Sequence, residues 1–161
     1  NALANKLINS GDENKIIPIK VAEAIPKNAD PMEVIGFQET SKSFSIVEQS
    51  LLGFDLIDVR YDVRVKYQGS YKGKGKYIKS VTFDPKLIDV DTMTNFKVEA
   101  VSETPDNIGT IANPIGKVRF TLIWTLSAKM PFAKIYRKFD TFYVYGDSGK
   151  IDFEPGKWNG E

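Results

Sequence analysis

The chain has 161 residues, with 22 basic and 21 acidic side chains and no cysteine or histidine. This length suits one domain that can bury a core without disulfides or metal, and a net charge of +1 gives no overall attraction to nucleic acid or lipid. Without histidine and cysteine, the chain cannot perform Ser-His-Asp or Cys-His catalysis or form Cys-ligated zinc or iron–sulfur sites.

The first 53 residues are predicted to form a partly helical segment. Residues 2–9 have one apolar helical face, which predicts a frayed terminal turn or the stub of a longer helix or anchor. Pro18 could open a helix that stops before Pro26, and a strand over residues 16–21 fits nearly as well. Because the chain starts at Asn1 rather than Met, we expect a processed or trimmed product, which a removed signal peptide, an excised anchor or deliberate trimming would each explain.

A helix is also predicted at the end of this segment. Ser45 and Glu48 have the spacing of a capping box, and Gly53 is a good helix stop. Phe44, Val47 and Leu51 would share one helical face. A strand is the competing interpretation, because serine and valine are indifferent helix formers.

Beyond Phe54 apolar residues recur at every second position, which is typical of strands with one buried face. The pattern is clearest in Lys117–Lys129, where all side chains of one parity are apolar and those of the other parity are nearly all polar. A change of apolar parity predicts a bulge near Asp140. Asp84-Pro85 is expected to close one of the strands. The predicted strands are Ile57–Tyr67, Tyr77–Phe83, Asn95–Ser102, Lys117–Lys129, Lys134–Tyr145 and Lys150–Phe153.

These strands predict a mainly β fold. The expected architecture is an antiparallel β-sandwich, immunoglobulin-like in architecture only, over residues 54–153, with a C-terminal tail over 154–161. The alternative is an α+β cone-like fold, in which helices of residues 1–53 pack on one curved antiparallel sheet.

A basic loop lies between two alternating runs at Gln68–Lys76 and is predicted to form a hairpin tip. Its lysines Lys72, Lys74 and Lys76, with Tyr71, are candidate contacts for an anionic partner. The competing interpretation is a solvated tip whose lysines discourage edge pairing.

A second basic surface is predicted from the outer parity of Lys117–Lys129 and the strand that follows it. Arg119, Arg137 and Lys138 are its candidate contacts for an anionic partner. Tyr143 and Tyr145 share the parity opposite to the apolar one and are candidate aromatic contacts. Trp124 has the apolar parity and is assigned to the core.

The remaining motifs do not match known catalytic, nucleotide-binding or calcium-binding patterns. Gly146–Gly149 lacks the spacing and the following helix of a nucleophile elbow, so it is assigned to a hairpin turn. Gly73–Lys76 lacks the pattern of a phosphate loop. Acidic side chains between Asp84 and Asp106 lack EF-hand spacing. The only carboxylates worth inspecting as a glycosidase pair are Asp140, Asp152 and Glu154.

We therefore expect a non-catalytic interaction or structural module, in the periplasm, outside the cell or in the cell envelope, with the cytoplasm as the alternative compartment. No cofactor and no metal are expected. The partner is expected to be another protein or an anionic surface, and nucleic acid is disfavoured. The second hypothesis is a small-ligand-binding α+β domain with a pocket between N-terminal helices and the sheet, and the third is a carboxylate-based enzyme.

Overall fold

The computed structural model describes residues 17–50, 52–53 and 55–160, together with the backbone of residues 3–9. The described chain is mainly strand, with one short 3₁₀ helix at Pro31–Glu33. The strands are β1 (Leu3–Asn9), β2 (Ile19–Ala24), β3 (Val34–Ile35), β4 (Gln38–Gln49), β5 (Asp55–Tyr67), β6 (Gly69–Tyr71), β7 (Lys74–Val90), β8 (Thr94–Ser102), β9 (Asp106–Asn107), β10 (Gly116–Ala128), β11 (Tyr136–Tyr145), β12 (Ile151–Glu154) and β13 (Asn159–Gly160).

Two antiparallel sheets pack face to face. The first has the order β1-β8-β10-β11-β12, with β9 added to β10 and β13 added to β11. The second has the order β3-β6-β7-β5-β4, with β2 added to β7. The predicted β-sandwich is confirmed. The cone-like alternative is wrong, because a second sheet, not a layer of helices, closes the core of the described chain.

The core is aromatic at its centre. Every second residue of β10 from Val118 to Leu126 is buried, as the alternation predicts, and Trp124 is completely buried. The ring centroid of Trp124 lies 5.6 Å from that of Tyr61, which in turn lies 5.0 Å from that of Phe83. The contact between Trp124 and Tyr61 joins the two sheets, because Trp124 belongs to the first sheet and Tyr61 to the second.

The helices predicted in the first 53 residues are wrong wherever the structure describes them. Leu3–Asn9 is a strand that pairs with β8, and β2 pairs with β7. Ala2, Ile16 and Leu51, which entered these predictions, lie outside the described residues.

The capping-box pattern at Ser45 and Glu48 also lies in a strand. Phe44 and Ile46 of β4 pair with Tyr61 and Val59 of β5, and Ile46 is buried. Burial of these inner side chains and the ladder hydrogen bonds to β5 outweigh the local helix signal, since propensity is easily overridden by packing.

Two predicted interruptions are absent from the strands. Asp84-Pro85 does not end its strand: β7 continues to Val90, and a register shift between Arg60 and Tyr61 of β5 accommodates the proline. No bulge lies near Asp140 in the pairing of β10 with β11, because the register runs unbroken from Lys117↔Tyr145 to Leu126↔Tyr136. The apolar parity changes there because Phe139 is on the outer, exposed face.

Candidate anionic-partner site

The β6–β7 hairpin has a tight two-residue turn. Tyr71 pairs with Lys74, so Lys72 and Gly73 alone make the turn. Both have positive φ, 51° for Lys72 and 74° for Gly73, as a type I′ turn requires. This turn matches the natural twist of the strands, and it holds the three lysines at the tip of a regular hairpin.

The hairpin is fastened to neighbouring loops. The Lys76 N–H donates to the Pro114 carbonyl at 2.8 Å, in the connection between β9 and β10. The Gln68 side chain donates to the Asp147 carbonyl at 2.6 Å, in the turn between β11 and β12. The base of the hairpin is thus hydrogen-bonded to two other loops, so the lysines are presented on an ordered support.

The three lysines at this tip are exposed. Within the described part of the chain, no carboxylate lies within 4.0 Å of the ammonium groups of Lys72, Lys74 or Lys76. The ammonium group of Lys72 lies 5.2 Å from the ring centroid of Tyr71, within cation–π range. The structure therefore brings together all four residues that the sequence assigned to this tip.

The sequence did not identify an adjoining aromatic–cation cluster. The ammonium groups of Lys66 and Lys79 lie 5.2 Å and 4.6 Å from the ring centroid of Phe37. Lys66 and Lys79 are on β5 and β7, whereas Phe37 is near the start of β4. Only the fold brings them together, because nothing in the sequence relates Phe37 to these lysines. The cluster places two further cations on the outer face of the second sheet, beside the buried Val65 and Ile78.

The predicted second basic surface is not a continuous one. Arg119 forms an ion pair with Glu103, and hydrogen bonding to Glu103 and then to Tyr143 raises the pKa of the Arg119 guanidinium. Lys138 is opposite the buried Trp124 in the pairing of β11 with β10, so it is on the inner face of its sheet. Its ammonium group lies 3.3 Å from the Asp140 carboxylate. The placement of Lys138 on an outer basic face was wrong.

Tyr143 and Tyr145 do lie on the outer face of β11. Their rings are half-buried, and the ammonium group of Lys117 lies 5.4 Å and 5.3 Å from the two ring centroids. The Arg119 guanidinium lies 5.7 Å from the Tyr143 ring. The two tyrosines are therefore partly covered by cations of this chain. Half-buried Arg137 is on the same face, opposite Thr125.

The acidic side chains serve different local roles. Asp84 is buried and pairs with Arg64 at 3.3 Å and with Lys86 at 2.8 Å. Asp91 accepts the Met93 N–H at 3.2 Å. Residues 17–50, 52–53 and 55–160 contain no group of three acidic side chains arranged to hold a metal ion.

The inspected glycosidase carboxylates point to different faces. Asp140 is on the inner face, whereas Asp152 and Glu154 pair with the outer-face residues Tyr143 and Thr141. They do not face one another across a cleft. Gly146–Gly149 forms the turn between β11 and β12, with the Gly149 N–H donating to the Tyr145 carbonyl at 2.8 Å. The prediction of a hairpin turn there is confirmed.

No family model, curated protein or solved structure matches this chain. The immunoglobulin-like character of the sandwich therefore stays a prediction. In the described parts of the chain, no helix has the length and apolar character that a membrane-spanning helix needs.

Proposed function

We propose that this chain is a non-catalytic interaction or structural module of an extracytoplasmic or cell-envelope protein. It contacts an anionic partner, another protein or an anionic surface, through the tip of the β6–β7 hairpin. The observation that carries the proposal is the set of three exposed lysines, Lys72, Lys74 and Lys76, at the tip of a regular hairpin and without carboxylate partners among the described residues. A preorganised turn loses little backbone entropy on binding, and its charges complement a negative surface, so both favour association.

The competing role for these lysines is protection of a sheet edge, and the pairing of β6 argues against it. β6 is covered by β3, with Val34 paired to Tyr71 and Ile35 paired to Ser70. Lysines near β6 are therefore not needed to block an open edge. That role fits Lys42 better, because Lys42 is on the edge strand β4 opposite the buried Val63.

The non-catalytic part of the proposal rests on composition and on the placement of the carboxylates. The chain lacks histidine and cysteine. Asp140 and Asp152 are on opposite faces of their sheet. The alternative of a ligand pocket between N-terminal helices and a sheet loses its basis, because β2 and β4 are strands of the second sheet.

Binding of poly-L-glutamate tests the hairpin tip. The hairpin variant carries Lys72→Asn, Lys74→Thr and Lys76→Thr, where asparagine tolerates the positive φ of the turn. The matched control carries Lys20→Thr, Lys150→Thr and Lys157→Thr, which removes the same charge from exposed positions outside the hairpin. We expect the hairpin variant alone to lose about tenfold or more in affinity. Equal losses of affinity in the two variants would show that net charge alone causes the loss, and would contradict the proposal.

The compartment is tested by the coding sequence upstream of Asn1. A leader peptide or a membrane anchor there supports an extracytoplasmic module. A precursor with neither, found in the cytoplasm by fractionation, would contradict that part of the proposal.

A further inference from the structure

Three loops meet at the end of the sandwich opposite the β6–β7 hairpin. They connect β4 to β5, β7 to β8 and β10 to β11. The Lys129 N–H donates to the Met93 carbonyl at 2.9 Å, and the Asp91 N–H donates to the Leu56 carbonyl at 2.9 Å. The first hydrogen bond joins two of the loops, and the second joins the β7–β8 loop to the start of β5, where the β4–β5 loop ends. We refer to residues 52–53, 91–93 and 129–135 as the loop end.

Each loop of the loop end presents large apolar side chains to water. Phe132 is fully exposed, Leu52 is 83% exposed, Met130 is 64% exposed and Met93 is 63% exposed. Ile135 and Tyr136, where β11 begins, are also exposed. Single exposed apolar residues are ordinary, but apolar tips on three adjoining loops mark a surface that contacts something apolar.

The backbone conformation of Phe132 is a second indication that the loop end contacts a partner. Its φ is +58°, in the left-handed region that bulky side chains rarely adopt. This backbone costs about 1 kcal/mol or more. Because the Phe132 side chain is fully exposed, its own burial does not offset that cost. Backbone strain of this kind is typical of functional sites. Here the strain would be offset if the exposed ring became buried against a partner.

The charges beside these tips identify the kind of partner. Lys129 and Lys134 flank Phe132 in the chain, and both are exposed. In the described ranges, no carboxylate lies within 4.0 Å of either ammonium group. Asp91 accepts the Met93 N–H and keeps its charge, so the loop end has two basic side chains and one acidic one. The ammonium group of Lys134 lies 5.4 Å from the ring centroid of Tyr136 and so stays at this surface. Apolar tips beside lysines of this kind complement an acyl-chain boundary overlaid by negative headgroups.

We propose that the loop end docks on an anionic lipid bilayer, with Phe132 and Met130 inserted below the headgroups and Lys129 and Lys134 among them. A bilayer suits this geometry better than a protein groove, because the apolar side chains are on separate convex turns and a fluid interface accommodates each of them. The proposal is independent of the hairpin tip, which lies at the other end of the molecule. Together they describe a module with a lipid contact at one end and a partner contact at the other.

Co-sedimentation of the whole chain with vesicles tests the proposal. The vesicles are phosphatidylcholine alone or phosphatidylcholine mixed with phosphatidylglycerol. The loop variant carries Phe132→Asn and Met130→Ser, and asparagine relaxes the positive φ, so folding is retained. The matched control is Ile111→Ser, because Ile111 is 97% exposed but lies near the hairpin end. A charge variant carries Lys129→Ser and Lys134→Ser.

We expect the unaltered chain and the Ile111 variant to bind the mixed vesicles equally. The loop variant should lose about tenfold or more in partitioning. The charge variant should bind the mixed vesicles no better than phosphatidylcholine alone. All of these proteins should keep their affinity for poly-L-glutamate, which separates this proposal from the one at the hairpin tip. Absence of vesicle binding by the unaltered chain at low salt, an unchanged loop variant, or an equal loss in the Ile111 variant would overturn the proposal.

Discussion

The ammonium group of Lys138 lies 3.3 Å from the carboxylate of Asp140, inside the sandwich. The Asp140 side chain is 0% exposed and that of Lys138 is 16% exposed. Asp140 also accepts the N–H of Gly156 at 2.9 Å, so one carboxylate joins a cation of β11 to the C-terminal tail. A buried carboxylate with these two partners is an organising element of the fold, although it resembled a candidate catalytic acid in the sequence.

Removal of the Asp140 carboxylate should destabilise the fold. We expect Asp140→Ala to lower the free energy of unfolding by about 3 kcal/mol, because a buried ammonium group and a backbone N–H lose their acceptor. Asp152→Ala is the control, since Asp152 pairs with Lys150 at 3.4 Å on an exposed face and its loss should cost less than about 1 kcal/mol. Urea denaturation measures both values. Equal costs would show that Asp140 is not a buried structural acid.

Tyr61 should make the fold sensitive to alkali. Burial, and then the charge of Asp140, raise the pKa of the Tyr61 hydroxyl above its ordinary value. The unfolded chain releases this proton near pH 10, whereas the folded chain keeps it, so the free energy of unfolding should fall as pH rises above about 10. Tyr61→Phe should flatten that fall.

Spectrophotometric titration of the tyrosines provides the readout. Of the seven tyrosines, Tyr61 should ionise only when the chain unfolds. Ionisation of all seven near pH 10 with the fold intact would be incompatible with a buried, protonated Tyr61.

Gly156 should be intolerant of a side chain. A Cβ atom at this position would lie 2.0 Å from the carbonyl oxygen of Phe139, which is backbone and cannot move away easily. Gly156→Ala should therefore displace the tail and break the 2.6 Å hydrogen bond from the Trp158 indole to Glu48. Loss of about 2 kcal/mol or more is expected.

Tryptophan fluorescence reports this displacement. Emission from Trp158 should shift to longer wavelength in Gly156→Ala, while fully buried Trp124 should be unaffected. Trp158→Phe supplies the matched background that isolates Trp124. A native spectrum and native stability in Gly156→Ala would rule out the docked tail.

Lys42 should keep the molecule monomeric. It is on β4, the last strand of its sheet, and pairs with Val63 on the core side of β5. A charge pointing toward the core side discourages a second chain from extending the sheet. Lys42→Val should thus produce dimers or larger assemblies, measured by light scattering after gel filtration. Lys150→Val, on a turn, is the control, and assembly by both variants or neither would refute this role.

The sequence predicted the fold wherever alternation was long. The buried set of β10, from Val118 to Leu126, could be identified from parity alone because one face is wholly apolar. Prediction failed in β4, where Ser45 and Glu48 imitate a capping box. Only pairing with β5, a non-local contact, decides that this segment is a strand.

The candidate site was predicted in part for the same reason. Lys72, Lys74 and Lys76 are close together in sequence and local in space, so the hairpin tip could be recognised. Phe37 could not, because its contact with Lys66 and Lys79 depends on how three strands align. Lys138 was misplaced because the apolar pattern of β11 is interrupted on its inner face by an ion pair.

The salt dependence of poly-L-glutamate binding is the most direct test of the hairpin tip. Affinity measured by titration across a range of ionic strength should fall with salt for the unaltered chain and for the Lys20/Lys150/Lys157 control, because screening weakens contacts between exposed charges. The Lys72/Lys74/Lys76 variant should show a much shallower dependence. An equally steep dependence in the hairpin variant would contradict the assignment of the hairpin tip as the anionic-partner site.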